Sequence, residues 1–126
     1  MPASKVKSSS KVLIVDDEEG IRESLKLILS DHYDLVLTDS GEQAVRLVEN
    51  DPTIGLALLD IKMPKVSGLD VLKAMKAKRP DINVIMVTGY KSVETASEAS
   101  HLGAVGYIIK PFKSDEILNT VKRNLA

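Results

Sequence analysis

The sequence predicts an α/β fold, a doubly wound parallel sheet, on three observations. Five short apolar runs recur along the 126 residues, each parted from the next by a helical pattern. At least three of those runs are apolar almost throughout instead of alternating, which suits strands covered on both faces. A strand–helix alternation of this length closes as a parallel sheet with right-handed crossovers and helices on either side.

KVLIV, residues 11–15, is the first strand. Ile21, Leu25, Ile28 and Leu29 then recur at helical spacing and form one apolar stripe. DLVLT (34–38) is the second strand, and Ala44, Leu47 and Val48 mark the helix after it. Ser40 with Gln43 has capping-box spacing at the start of that helix. LALLD (56–60) is the third strand, followed by a helix anchored by Leu72 and Met75. NVIMVT (83–88) is the fourth. The helix behind it, about 92–101, would turn Val93, Ala96 and Ala99 inward. Those groups are small, so this helix should be the loosest. VGYII (105–109) is the fifth strand, and Ile117, Val121 and Leu125 anchor the last helix. Ser114, followed by Asp115 and Glu116, suits its start.

Residues 1–10, MPASKVKSSS, are polar and serine-rich and read as a mobile tail; residues 11–126 read as one domain with no internal repeat. Hydrophobic residues make up 44% of the chain. A domain of this size buries about two-thirds of its unfolded surface and needs no staples. With no cysteine, disulfides and thiolate metal sites are both excluded. His32 and His101 are the only histidines, too few for a zinc site without carboxylates. A net charge of −1 gives no general attraction to nucleic acid, and four aromatic residues (Tyr33, Tyr90, Tyr107, Phe112) make no stacking platform. No apolar run approaches the roughly 18 residues of a membrane span, and no signal-peptide pattern opens the chain. A cytoplasmic protein is expected.

In sheets of this kind ligands bind beyond the carboxyl ends of the strands. Asp16 and Asp17 follow the first strand, Asp60 ends the third, Thr88 ends the fourth and Lys110 follows the fifth. Four acids in a row, Asp16 to Glu19, stand at the mouth of the core. Their mutual repulsion calls for either a helix end and solvent or a bound cation. A helix dipole accounts for Glu18 and Glu19.

VDD, LLDIKMPKVSG, VTG and GYIIKPF, each in turn at its own strand end, resemble the receiver domain of two-component response regulators over residues 11–126. The resemblance implies a five-stranded sheet of order 2-1-3-4-5, a flavodoxin-like three-layer sandwich. With that order, strands about 4.8 Å apart bring Asp16 or Asp17 beside Asp60, and place Thr88 one strand further on. Lys110, roughly 10 Å from Asp60, needs its long side chain. The family implies a Mg²⁺ site with Asp17 and Asp60 as direct ligands, Asp16 direct or through water, and the Lys62 carbonyl. Hard oxygen donors suit that ion. Asp60 is then the phosphoacceptor, served by Thr88 and Lys110, with phosphate arriving from a sensor histidine kinase or phosphotransfer protein. Thr88 and Tyr107 are the implied switch, acting on a surface of the fourth helix, fifth strand and fifth helix. A cis Lys110–Pro111 bond is implied as well.

Each residue alone has a plainer reading: Asp16 and Asp17 as helix-start acids, Asp60 and Thr88 as strand ends, Lys110 as a solvated lysine before a turn, Tyr107 as a half-buried aromatic. Lys73, Lys76, Lys78 and Arg79 read as cations at the end of the third helix. Gly68 reads as a loop-shaping residue. A receiver-like module that takes no phosphate would lack one of the key acids or the lysine. A small-molecule phosphatase would need an insertion long enough for a lid, and a flavodoxin-type carrier would need aromatics for its flavin. The C-terminal part, TGYKSVETASEASHLGAVGYIIKPF, resembles receivers of transcriptional activators, so the chain reads as a stand-alone regulator or as a receiver cut from a longer one.

Overall fold

A computed structural model describes residues 11–125; the N-terminal tail expected over 1–10 lies outside the described residues. Five strands alternate with five helices: β1 (Lys11–Val15), α1 (Glu19–Leu29), β2 (Leu35–Thr38), α2 (Gly41–Asn50), β3 (Ile54–Leu59), α3 (Gly68–Lys78), β4 (Asn83–Thr88), α4 (Val93–His101), β5 (Gly106–Ile109) and α5 (Ser114–Asn124). All strand pairs are parallel, and the order is β2-β1-β3-β4-β5. This is the doubly wound, three-layer arrangement expected.

The apolar runs are buried because both sheet faces are covered. Alternate residues of β1 point to opposite layers: Leu13 and Val15 pack with Ala44, Val48, Leu72 and Met75 of α2 and α3, whereas Val12 and Ile14 pack with Leu25, Leu29, Ile117 and Val121 of α1 and α5. Each of these side chains is at most 1% exposed. Fully burying one aliphatic side chain contributes about 1.5–3 kcal/mol, so these two layers supply most of the drive to fold.

Local signals hold in part. The Ser40 hydroxyl accepts from the Gln43 N–H at 3.1 Å and starts α2. α5 starts at Ser114 as expected, with Lys113 at the cap position making no side-chain bond. The extended backbone of Lys113 already turns the chain, so Asp115 and Glu116 alone supply the favourable first-turn charge. In α4 only Ala99 is buried, and Val93, expected inward, is 83% exposed. Val93 stands in the first turn, where the helix buries no side chain. β3 begins two residues earlier than its apolar run, at Ile54, and ends at Leu59, so Asp60 lies just outside it.

Candidate functional site

The last rungs of the sheet ladder carry the candidate site residues. The Asp16 N–H donates to the Thr38 carbonyl at 3.2 Å, the Asp60 N–H to Val15 at 3.1 Å, and the Lys110 N–H to Thr88 at 2.8 Å. Their backbones are thus fixed by the strands, and their side chains rise from one edge of the sheet.

Asp16, Asp17 and Asp60 converge there, with one carboxylate oxygen of each lying within 4.8 Å of the others. Asp16 and Asp60 are buried, while Asp17 faces solvent. Lys110, two strands away from β3 and Asp60, reaches back over the sheet. Its Nζ donates to Asp16 Oδ2 at 2.8 Å, to Asp60 Oδ2 at 3.2 Å and to Glu18 Oε1 at 3.2 Å. The second oxygen of Asp16 accepts from the Glu18 N–H at 2.9 Å. Asp60 Oδ1 takes a long contact of 3.4 Å from the Lys62 N–H, which folds the backbone of Lys62 over the acid.

Burial pushes the Asp16 carboxyl above its ordinary pKa, and the bonds from Lys110 and the Glu18 N–H only partly reverse this. For Lys110 burial acts downward, yet Asp16, Asp60 and Glu18 outweigh it and hold the ammonium above its ordinary pKa. Three close carboxylates against one ammonium leave the pocket net negative. That donor set, all hard oxygen, fits a divalent cation such as Mg²⁺.

Thr88 is fully buried, and its Oγ1 accepts from the Tyr90 N–H at 3.3 Å. Tyr107 is half-buried and its hydroxyl donates to the Tyr90 carbonyl at 3.0 Å. Burial first, and Asp60 second, raise the pKa of that phenol. The Lys110–Pro111 bond is cis. Gly68 has a sharper reason than loop geometry. Its N–H donates to the Ile61 carbonyl at 2.7 Å, and a Cβ there would stand 2.0 Å from the Asp60 carbonyl oxygen. Only glycine lets α3 start this close to the acid.

Two residues of the site escape sequence reasoning. Glu18 stands at the cap position of α1 but caps nothing with its side chain, which reaches Lys110 instead. The dipole reading is corrected for this residue. Arg22, half-buried, donates from Nη1 to the Asp16 carbonyl at 2.8 Å and steadies the turn that carries the acids. A long acid directly after an Asp pair was the available signal for Glu18.

An acidic edge crossed by a lysine, on a sheet of order 2-1-3-4-5, defines a phosphorelay receiver, and the chain belongs to the response regulator receiver domain family, whose model matches residues 12–122. It is 37% identical over 118 residues to sporulation initiation phosphotransferase F of Bacillus subtilis, covering 93% of this chain and 94% of that protein. It is 38% identical over 116 residues to the transcriptional regulatory protein ZraR of Escherichia coli, covering 91% of this chain but 26% of that regulator. A CheY-like receiver domain from Methanospirillum hungatei superimposes with a TM-score of 0.88 at 35% identity, over 94% of both chains. The beryllofluoride-activated NtrC4 receiver domain, solved as a dimer, gives 0.86 at 34%, covering 91% of this chain and 95% of that one. The protein is therefore a signalling domain with a phosphorelay role, of the kind that interacts with histidine kinases. Among the described residues no helix is long and apolar enough to cross a membrane.

Proposed function

We propose that Asp60 accepts a phosphoryl group from a phosphohistidine of a sensor histidine kinase or phosphotransfer protein. The observation that carries this reading is the shared grip of Lys110 on Asp16 and Asp60 at a carboxylate cluster open toward Asp17. One Asp60 oxygen attacks phosphorus; the P–O bond forms as the P–N bond breaks, and the imidazole nitrogen keeps the electron pair. Lys110 neutralises a phosphoryl oxygen, and the Thr88 hydroxyl donates to another. Asp17 and Asp60 would hold Mg²⁺ directly and Asp16 directly or through water, with the Lys62 carbonyl as a further ligand. Bound there, the ion offsets carboxylate repulsion and phosphoryl charge. The domain promotes its own phosphorylation and a slow hydrolysis of the acyl phosphate, and turns over no other substrate.

Intact mass after acetyl phosphate tests this, with Mg²⁺ or chelator, on wild type and Asp60→Ala. One added phosphoryl group requiring both Mg²⁺ and Asp60 is expected. No addition to folded wild-type protein under any condition would refute the acceptor reading.

The output is a change over α4, β5 and α5. Thr88 moves toward the phosphoryl, and Tyr107 turns in behind it. Support comes from Tyr90, whose N–H and carbonyl are held by Thr88 and Tyr107 respectively, and from the shallow anchorage of α4. Amide exchange over residues 88–110 should differ between phosphorylated and unmodified protein; identical patterns would sink this part. The same face would meet a downstream effector or a second copy, in the cytoplasm, with no direct contact to nucleic acid or membrane. Residues 11–126 make up the receiver, behind a polar segment at 1–10.

A further inference from the structure

We infer that Glu18 is a built-in stand-in for a phosphoryl oxygen, occupying the donor of Lys110 that the incoming group must claim. This rests on the proposal that Asp60 is phosphorylated. A lysine ammonium has three N–H donors and no more. In this structure all three are taken, by Asp16, Asp60 and Glu18. For Lys110 to hold a phosphoryl oxygen, one partner has to leave.

The three are not equally able to go. Asp16 is 2% exposed, makes the shortest contact, and is pinned through its other oxygen by the Glu18 N–H. Asp60 is 4% exposed and is itself the atom-bearing acceptor, so it stays wherever the phosphoryl goes. The Glu18 side chain is 62% exposed, carries three rotatable bonds, and is held by a single 3.2 Å contact. Water can solvate its carboxylate at once when it swings away. Nor does a helix-capping bond hold it back, since it makes none. Glu18 therefore keeps Lys110 fully paired at rest and competes with any anion arriving beside Asp60. As a positioning residue it sets the threshold for phosphoryl uptake and, by returning, assists loss.

The test measures the affinity of beryllofluoride, a phosphoryl mimic, with Mg²⁺ present, by amide shifts of Thr88 and Gly89. Wild type is compared with Glu18→Gln, Glu18→Asp and Glu19→Gln. An exposed pair of this kind is worth little, so Glu18→Gln should tighten binding about threefold. Glu18→Asp keeps the charge but is one methylene too short for Lys110 and favours the helix cap, so it should tighten binding similarly. Glu19→Gln, an equal charge change one residue away, should leave affinity as in wild type. Acetyl phosphate uptake should quicken in the same order. Equal gains in Glu18→Gln and Glu19→Gln, with Glu18→Asp like wild type, would reduce the effect to general charge and overturn the inference. So would unchanged or weaker binding in Glu18→Gln. If wild type itself takes up no phosphoryl group on Asp60, the acceptor reading fails and the stand-in with it.

Discussion

At the edge where the strands begin, charged groups have permanent partners. Arg79 donates to the carbonyls of Val48 at 3.0 Å, Asp51 at 3.3 Å and Ile54 at 2.8 Å, tying the ends of α2 and α3 to the start of β3. Asp51 accepts from Lys11 at 2.9 Å, and its other oxygen from the N–H and hydroxyl of Thr53. At the opposite edge, Asp16, Asp17 and Asp60 crowd around one ammonium. The first arrangement satisfies every group and serves stability. The second leaves charge unbalanced, a deficit that a cation held by the three carboxylates would offset. Both edges belong to one sheet, so function here is a local departure from good pairing.

The largest way to break this contrast is to remove Arg79. Arg79→Ala would strip the shared donor from three carbonyls at once and should cost about 3 kcal/mol in urea unfolding. Arg79→Lys should recover only part, because one ammonium cannot span the three acceptors as a planar guanidinium does. Phosphoryl uptake by the folded fraction should not change, since none of these contacts reaches the acid cluster. A loss below about 1 kcal/mol would mean that water replaces the guanidinium and that the clamp is incidental.

Arg79 also shows what the sequence conceals. It reads as a cation favouring the end of its helix; besides nearby Asp81 it holds three carbonyls that lie 25 to 31 residues away along the chain. Glu18 fails for the same reason, since Lys110 is 92 residues distant. The bounds of β1 and β4 match their apolar runs because pattern alone decides them. The start of β3 does not, because Ile54 is recruited by pairing with Lys11 across an irregular register. Val93 was misplaced because periodicity shows which residues share a stripe, without showing which turns of it are buried. The meeting of Asp16, Asp17, Asp60 and Lys110 was legible because each directly follows a strand, and a parallel sheet brings strand ends together.

The smallest expected effect sharpens the contrast through pH. Bonds from Thr53 first, then Lys11, draw the Asp51 carboxyl from its ordinary 3.8 down to about 2. A carboxylate lowered on folding contributes stability that is complete above the unfolded pKa and lost as pH falls through the folded one. Asp16 is shifted the other way, by burial. The folded state then binds its proton more tightly than the unfolded chain, so stability declines as pH rises above 3.8. Unfolding free energies by urea, in chelator from about pH 2 to pH 7, should therefore diverge in sign. The advantage of wild type over Asp51→Asn should grow with pH, by about 1 kcal/mol given the partly exposed site. The difference between wild type and Asp16→Asn should shrink or reverse over the same range. Parallel slopes for the two variants would mean that the acid-rich edge is as well compensated at rest as the opposite one, and that its unbalanced charge is not what readies it for a cation.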